Sequence, residues 1–272
     1  MAAAAPIRLV DYTPWPFALP EIHLDVDLRS DHVLVTSRLL LEPQQAGAPL
    51  ELRGMELLIE SIAIDGEALE SQCWQQTDDR LTIPEPPALP FVLNLRCRID
   101  PYRNTSLEGL YASGGMLTSQ CEAEGFRRIT YHPDRPDVLS RWKVRIEADR
   151  AGFPVLLSNG DAVETEDLPG NRHAVIWEDP HPKPSYLFAL VAGDLEEIRD
   201  HYVTSEGRQV TLRLHVERGD EPYTAHAMAS LKRAMAWDEK VYGLAYDLDE
   251  YNIVAVRHFN MGAMENKSLN IF

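Results

Sequence analysis

The stretch EIHLDVDLRSDHVLVTSRLLLEP, residues 21–43, indicates what kind of fold the chain adopts. Apolar and polar side chains alternate over residues 22–28 and again over residues 33–41, with a short turn between the two runs. An alternation of period two places the apolar side chains on one face of a β-strand. The stretch therefore predicts a β-hairpin with one face buried and the other in water.

Short runs of the same alternation recur farther along the chain. They lie at residues 62–64, 91–99, 142–148, 153–157 and 173–177. The pair Asn159-Gly160 predicts a tight turn that joins the last two runs as an antiparallel hairpin. Because strands and turns follow one another closely, and no helical pattern precedes residue 190, we expect residues 1–192 to form an antiparallel β-sandwich or a related two-sheet domain.

The character of the chain changes after the proline-rich residues 180–184. A helical pattern then begins with Asp220 as its N-cap and ends just before Gly243. One stripe of this helix is apolar and predicts a packed face, formed by Met228, Leu231, Met235 and Tyr242. The run YNIVAVRHF, residues 251–259, predicts a half-buried strand. We therefore expect a second domain of mixed α and β structure at residues 193–272.

Composition narrows the classes of partner. The chain has 272 residues, of which 44% are hydrophobic, and its 43 acidic and 26 basic residues give a formal net charge of −17. Nucleic acids and anionic membranes would repel such a chain, and no run approaches the roughly 20 apolar residues of a membrane-spanning helix. We expect no nucleic-acid partner and no membrane insertion.

The three cysteines, Cys73, Cys97 and Cys121, are odd in number and far apart. This spacing favours free thiols in a reducing compartment over a disulfide framework, and we expect all three to be small buried side chains. The first residues show no charged leader followed by an apolar run of signal-peptide length. The cytoplasm is therefore the expected location.

Residues 262–266 read GAMEN and are called here the GAMEN segment. A glycine permits close approach of another backbone, so a strand that carries Gly262 could lie flat against a bound peptide. Met261 offers a polarizable wall for varied side chains, and Glu265 offers a nearby negative charge. A glycine at a bulge beside a solvated glutamate is the alternative interpretation, and this stretch alone favours it.

Residues 120–126 read QCEAEGF and are called here the QCEAEGF loop. If the stretch is extended, Gln120, Glu122 and Glu124 share one face and could hold a cation. A solvated acidic edge, partly neutralised by the two arginines that follow, is the alternative that these residues alone favour. No pair of histidines has the H-E-x-x-H spacing, so we expect all nine histidines to be structural or at the surface.

Two stretches of the chain resemble a single known family. They are TSQCEAEGFRRITYHPDRPDVLSRWKV, residues 118–144, and YNIVAVRHFNMGAMENKSLNIF, residues 251–272. The family is the zinc aminopeptidases of the aminopeptidase N type, especially the bacterial form, and the resemblance extends over essentially the whole chain. It implies a saddle-like β-domain followed by the start of a thermolysin-like α+β catalytic domain that removes single residues from peptide N-termini.

The resemblance also implies a substrate-binding set for peptides with a free N-terminus, made of Gln120, Glu122, Met261, Gly262, Ala263, Met264, Glu265 and Asn266. Glu265 and Glu122 correspond to the carboxylates that bind the substrate's α-ammonium group. Gln120 corresponds to a neighbouring contact in the pocket for the first residue, and Met261 to the adaptable wall of that pocket. The backbone of residues 262–263 corresponds to the surface along which the peptide lies.

The zinc chemistry of that family needs an H-E-x-x-H motif and a more distant glutamate, which follow the GAMEN signature in sequence. The chain ends at Phe272 without them. We therefore expect an N-terminal fragment with no metal ligand and no catalytic residue of its own. Zinc is expected only in the full-length enzyme, and peptide hydrolysis is not expected from these 272 residues alone. We also expect a monomer.

Two other functions stay open. A non-catalytic scaffold derived from the same family would keep the β-domain and the GAMEN segment, although it would not need two carboxylates for an ammonium group. An aminopeptidase relative with an added hydrolase activity would share the same amino-terminal sequence. An H-E-x-x-H motif in the continuing reading frame would separate the scaffold from the enzymes.

Overall fold

The computed structural model describes residues 8–272. Within this range the strands, in chain order, are β1 (Phe17–Leu28), β2 (Val33–Pro43), β3 (Leu50–Arg53), β4 (Leu58–Ile64), β5 (Glu67–Ala68), β6 (Gln75–Gln76), β7 (Arg80–Ile83), β8 (Phe91–Ile99), β9 (Gly109–Ser113), β10 (Met116–Gln120), β11 (Ser140–Asp149), β12 (Val155–Ser158), β13 (Asp161–Leu168), β14 (Arg172–Lys183), β15 (Leu190–Gly193), β16 (Glu196–Val203), β17 (Gln209–Val216), β18 (Glu250–Val254) and β19 (Leu269–Ile271). The α-helix of these residues is α1 (Ala225–Tyr242), and the 3-10 helices are Leu9–Asp11, Ser71–Cys73, Phe126–Arg128, Ser185–Leu187 and Glu221–Tyr223. None of the helices within residues 8–272 is long and apolar enough to cross a bilayer.

The largest sheet contains eight strands in the order β13-β14-β11-β1-β2-β8-β4-β5. The hairpin predicted from residues 21–43 is confirmed, since β1 and β2 pair antiparallel with Val26 opposite Val35. Both side chains are fully buried. The polar residues that alternate with them lie on the opposite face, as the period of two requires.

One pairing in this sheet departs from the antiparallel expectation. β1 and β11 run parallel, with Glu21 opposite Arg141, whereas the other neighbouring strands of the sheet are antiparallel. Alternation shows which side chains are buried but carries no information on the direction of the neighbouring strand. The mostly β fold class is confirmed, and this parallel pair is an addition to it.

The second sheet has the order β12-β15-β10-β9, and a three-stranded sheet of β3, β7 and β6 lies beside the first. The prediction of a hairpin at Asn159-Gly160 is wrong. β12 before the turn pairs with β15, whereas β13 after it pairs with β14 of the eight-stranded sheet. The turn carries the chain between sheets, and Gly160 has a φ of +92° with its Cα so close to Glu178 that a Cβ would lie 2.1 Å from the Glu178 carbonyl oxygen.

The fourth sheet has the order β16-β17-β18-β19, and α1 covers one of its faces. That face and the helix share a small apolar core, made of Val210, Leu212, Leu214, Met228, Leu231 and Met235. The opposite face belongs to the large core of the first two sheets, which includes Val254, Leu269 and Ile271. Gly193 ends β15 and Glu196 begins this sheet, and the division of the chain between residues 192 and 193 stays a prediction.

The helix begins later than its sequence predicts. Asp220 precedes the 3-10 helix Glu221–Tyr223, and its carboxylate accepts a hydrogen bond from Arg257 at 2.9 Å instead of capping the helix. The α-helix itself starts at Ala225. Its predicted end is confirmed, because Gly243 has a left-handed φ of +66° that suits glycine.

Two predictions of buried side chains are wrong. Tyr242 is 63% exposed and stacks edge-on against Trp237, with 5.5 Å between ring centroids, instead of reaching the sheet. Cys73 is exposed because it lies in the short 3-10 helix Ser71–Cys73, which has no buried residue. The other two cysteines, Cys97 and Cys121, are buried, and all three are free thiols.

Candidate functional site

The QCEAEGF loop begins where β10 ends, at Gln120. The chain then turns instead of continuing as a strand, and the N–H of Gly125 donates to the carbonyl of Cys121 at 2.8 Å. Gln120 is fully buried, whereas the Glu124 carboxylate lies 3.0 Å from the Arg127 guanidinium. The predicted cation site required an extended stretch with its acidic side chains on one face. Because the chain turns, that site does not form.

The loop is packed tightly against its surroundings. A Cβ on Gly125 would lie 2.3 Å from the carbonyl oxygen of Gln120, so only glycine fits there. Asp134, whose side chain is fully buried, accepts a hydrogen bond from Arg127 Nε at 2.8 Å and another from Ser185 Oγ at 2.8 Å. Glu122 remains exposed at the tip of the loop, where its peptide bond to the next residue is cis.

The thiol inside the QCEAEGF loop is not a candidate nucleophile. Cys121 is fully buried, and burial raises its pKa well above the usual range. A buried thiol that stays protonated is chemically inert, because the thiolate is the reactive form. The chemistry of the loop therefore belongs to its carboxylates and amides.

The GAMEN segment is not a strand, contrary to the prediction. β18 ends at Val254, and the chain bends repeatedly before Met264 forms an isolated antiparallel bridge to Ile271. In that bridge the Met264 N–H donates to the Ile271 carbonyl at 2.8 Å, and the Ile271 N–H donates back at 3.1 Å. The segment crosses the ends of the strands of the second sheet instead of pairing along one of them.

Exposure divides the GAMEN segment into two parts. Met264 and Asn266 are each 1% exposed, while Glu265 between them is exposed. Met261 is 46% exposed, and Gly262 and Ala263 are exposed as well. A Cβ built on Gly262 would meet no atom within 4 Å, so its backbone is open to a ligand. The Glu265 side chain is thus presented to solvent by two buried neighbours.

The two motifs meet at one contact. The Gln120 side-chain nitrogen lies 3.9 Å from the sulfur of Met264 and 3.4 Å from the carbonyl oxygen of Glu122. Among residues 8–272, the Gln120 side-chain oxygen and both polar side-chain atoms of Asn266 have no hydrogen-bond partner. The junction therefore combines two exposed carboxylates with buried amide groups that have unused hydrogen-bonding capacity.

The candidate site is a surface junction and not an enclosed cavity. A cavity of about 760 Å3 lies between α1 and the fourth sheet, and another of about 710 Å3 lies beside the three-stranded sheet. None of the eight predicted substrate-binding residues lines either of them. In the described part of the chain, no group of three or more His, Cys, Asp or Glu side chains is placed to hold a metal ion.

Comparison with known families agrees with the motifs. The Peptidase M1 N-terminal domain matches residues 17–187, which is more than half of the chain. The chain belongs to peptidase family M1. The Peptidase family M1 domain matches residues 226–272, and the resemblance to aminopeptidase N is thereby confirmed for this M1 chain.

Individual relatives resemble the M1 chain along nearly all of its length. Aminopeptidase N of Caulobacter vibrioides is 53% identical over 267 residues, which are 98% of this chain and 31% of that protein. The crystal structure of Legionella pneumophila aminopeptidase A in complex with aspartic acid has a TM-score of 0.93 at 35% identity, covering 98% of this chain and 32% of that one. The M1 chain thus spans about a third of the length of these relatives.

A more distant structure shows the fold alone. The M1 zinc metallopeptidase of Deinococcus radiodurans, solved as a mutant bound to Tyr-Ser-Ala substrate, has a TM-score of 0.80 at 16% identity. It covers 94% of the M1 chain and 60% of its own. The arrangement of sheets therefore persists in a protein with little sequence in common.

The sequence analysis missed the residues that hold the two motifs together. Tyr111 and Ser113 of β9 place their hydroxyl groups 3.4 Å from the His258 carbonyl oxygen. Asn159 and Ser268 make further hydrogen bonds across the same junction. Their partners are more than 100 residues away in sequence, so no local pattern distinguishes them from ordinary polar residues.

Proposed function

We propose that this chain supplies the substrate-binding part of a zinc-dependent aminopeptidase that releases single amino acids from the N-termini of peptides. In this proposal Glu122 and Glu265 bind the α-ammonium group of the substrate. The observation that supports it is the contact of Gln120 with Met264, which brings the QCEAEGF loop and the GAMEN segment together while a glutamate in each stays exposed.

An enzyme that cuts only the first peptide bond must distinguish a terminal ammonium group from an internal peptide nitrogen, which carries no charge. Carboxylates make this distinction, because each charge-assisted hydrogen bond contributes about 1.5–3 kcal/mol. Binding the ammonium group also places the adjacent carbonyl carbon at a set distance from the reacting groups. Glu122 and Glu265 therefore recognise the ammonium group and position the substrate, and they take no part in breaking the peptide bond.

The other predicted residues would shape the pocket for the first side chain and the path of the peptide. The exposed backbone of residues 262–263 offers amides for strand-like pairing with the peptide, and no side chain blocks it at Gly262. Met261, half-exposed and polarizable, would form a wall that accommodates side chains of different shape. Gln120 and Asn266 offer buried amide groups for polar contacts.

We assign zinc binding and peptide hydrolysis to the full-length enzyme. Residues 8–272 contain no group of three or more His, Cys, Asp or Glu side chains placed to hold a metal ion. We further propose that the enzyme works on peptides in the cytoplasm as a monomer. These assignments rest on the resemblance to the family.

The site assignment is tested in the full-length enzyme that contains this chain. Glu265→Ala and Glu122→Ala should each lower kcat/KM for an aminoacyl anilide by about 10- to 150-fold, which corresponds to the loss of one charge-assisted hydrogen bond. Zinc content should be unchanged. Glu124→Ala is the matched control, because Glu124 lies on the same loop but faces Arg127 at 3.0 Å.

Normal turnover in both Glu265→Ala and Glu122→Ala would contradict the assignment. Equal losses in all three variants would show a general sensitivity to the loss of a negative charge around the junction, and would also contradict the assignment. The proposed inactivity of the 272-residue chain is tested separately. Chelator-sensitive cleavage of an aminoacyl anilide by the purified chain, free of full-length enzyme, would overturn that part.

A further inference from the structure

Two strands of the second sheet, β10 and β12, end at the same edge, where β15 between them begins. β10 and β12 both pair antiparallel with β15, so they run in the same direction on either side of it. Thr118 and Leu157 are both opposite Val191, and two residues farther along each strand come Gln120 and Asn159. Since neighbouring strands are about 4.8 Å apart, the backbones of Gln120 and Asn159 lie about 10 Å apart at this edge.

Residues 258–268, called here the crossing segment, pass over this edge in the spatial order of the strands. Near β9, the side chain of Asn260 donates to the Leu107 carbonyl at 2.8 Å. At the end of β10, Met264 contacts Gln120 at 3.9 Å. Beyond the end of β12, the Lys267 carbonyl accepts a hydrogen bond from Asn159 at 2.8 Å. The edge of the sheet therefore holds the crossing segment on both sides of Glu265.

Asn159 connects the crossing segment to the sheet through hydrogen bonds of both its side-chain nitrogen and its side-chain oxygen. It is 2% exposed, and its nitrogen donates to the Leu187 carbonyl at 3.0 Å as well as to Lys267. Its oxygen accepts the N–H of Ala189 at 2.8 Å. Two carbonyl acceptors on one side and an N–H donor on the other determine the orientation of the amide.

The hydrogen bonds continue from Asn159 toward the QCEAEGF loop. Leu190, next to Ala189, donates its N–H to the Ser119 hydroxyl at 2.8 Å, and Ser119 precedes Gln120. A second hydrogen bond holds the last residue of the crossing segment, since the Gly160 N–H donates to the Ser268 hydroxyl at 2.6 Å. The turn after Asn266 is thus tied, through buried polar groups, to the strand that carries the other motif.

We propose that Asn159 is a positioning residue for substrate recognition, which sets the separation of Glu265 from Glu122 by holding the Lys267 carbonyl against the edge of the second sheet. This inference rests on the proposed function, since it assigns those carboxylates to the α-ammonium group. Only two residues lie between Met264 and Lys267, a span of at most about 11 Å, so anchoring both ends restricts Glu265 between them.

The proposal is tested in the full-length enzyme with Asn159→Asp. This change keeps the shape of the side chain but replaces the donating NH2 with an oxygen that faces two carbonyl oxygens. We expect kcat/KM for an aminoacyl anilide to fall by up to about 100-fold, as for a displacement near 1 Å. Zinc content should stay unchanged.

Ser158→Ala is the matched control for a merely structural effect. Ser158 is fully buried and donates to the Ala189 carbonyl at 2.8 Å, at the same edge, and no hydrogen bond links its side chain to the crossing segment. Ser158→Ala removes one buried hydrogen bond at this edge, and its kcat/KM should change by less than about threefold. An equal loss of kcat/KM in both variants would overturn the proposal.

A double-mutant cycle shows whether Asn159 acts through Glu265. In a Glu265→Gln background, Asn159→Asp should have little further effect on kcat/KM, because the carboxylate that it positions is already absent. The same fold-loss in both backgrounds would overturn the proposal. If Asn159→Asp does not fold, Ser268→Gly replaces it in the same cycle. Ser268 has a φ of +61°, which glycine accepts, and the change removes only the hydroxyl bonded to Gly160.

The single variants separate this inference from the proposed function. If Glu265→Ala turns over normally, the proposed function fails, and the positioning role fails with it. If Glu265→Ala is impaired while Asn159→Asp behaves like Ser158→Ala, only the positioning role fails.

Discussion

The side-chain nitrogen of Gln120 lies 3.9 Å from the sulfur of Met264. This contact joins two motifs that are 144 residues apart in sequence. Met264 is 1% exposed and Gln120 is fully buried, so the contact is part of the packed interior and not a chance meeting of surface loops. It connects the end of β10 with the segment that presents Glu265.

Shortening the Met264 side chain should destabilise the fold more than replacing its sulfur at nearly constant volume. Met264→Ala leaves a cavity beside Gln120 and should lower the free energy of unfolding by about 2–5 kcal/mol. Met264→Leu keeps most of the volume and should cost less than about 1.5 kcal/mol. Urea denaturation of the 272-residue chain measures both. Equal losses in the two variants would show that the sulfur contact, and not the packing, stabilises the junction.

Adding a methyl group at Gly262 should affect activity without affecting folding. A Cβ there meets nothing within 4 Å, so Gly262→Ala should leave the midpoint of thermal unfolding unchanged. If a peptide lies along this backbone, the methyl group displaces it, and kcat/KM of the full-length enzyme should fall by up to about 100-fold. Gly152→Ala is the control, because its Cβ would meet only the Asp149 carboxylate at 3.6 Å, far from the site. Equal activity of both variants would remove Gly262 from the binding surface.

His132 should make the fold sensitive to acid. Burial lowers the pKa of His132 to about 3, and its Nδ1 accepts the N–H of Asp134 at 2.9 Å. Unfolded histidine titrates near pH 6.5, so between pH 6.5 and 3 the unfolded state binds more protons than the folded one. The free energy of unfolding should therefore decrease with falling pH by about 1.4 kcal/mol per pH unit from this group.

A His132→Asn variant measures that contribution. Its amide can still accept the Asp134 N–H but does not titrate, so its stability should depend less steeply on pH between 6.5 and 5. The measurement is urea denaturation at several pH values in this range. His226→Asn, which removes an exposed histidine of α1, should keep the wild-type slope. A wild-type slope in His132→Asn would show that His132 does not contribute.

A buried ion pair should be more costly to break than to remove. Lys183 Nζ lies 3.0 Å from the Asp179 carboxylate and 4.8 Å above the Trp142 ring, and both charged side chains are at most 3% exposed. Lys183→Met leaves an uncompensated buried carboxylate and should lower the free energy of unfolding by about 3–5 kcal/mol. The double variant Lys183→Met/Asp179→Asn should lose less than Lys183→Met alone. A larger loss in the double variant would contradict this account.

Part of the fold and of the site could be predicted because it depends on local order. The alternation in residues 21–43 shows which side chains face the core, and the structure buries them. The GAMEN segment and the QCEAEGF loop identify the family because each is a contiguous motif. Gly243 marks the end of α1 because a left-handed residue there favours glycine over any other side chain.

The rest of the fold and of the site could not be predicted, because it depends on contacts between residues that are distant in sequence. Asn159-Gly160 has the composition of a hairpin turn, but its partners at Lys267 and Ser268 make it a connection between sheets. The parallel pairing of β1 with β11 is likewise invisible to a pattern of period two.

The sequence by itself determined the mostly β class, the buried faces of the strands and membership of the aminopeptidase family, because periodicity and contiguous motifs are local properties. Only the tertiary structure decided that Glu122 and Glu265 are presented at one junction and that Asn159 holds the Lys267 carbonyl beside it. The physical reason is that hydrogen bonds and packing act between neighbours in space, and these neighbours are about a hundred residues apart along the chain.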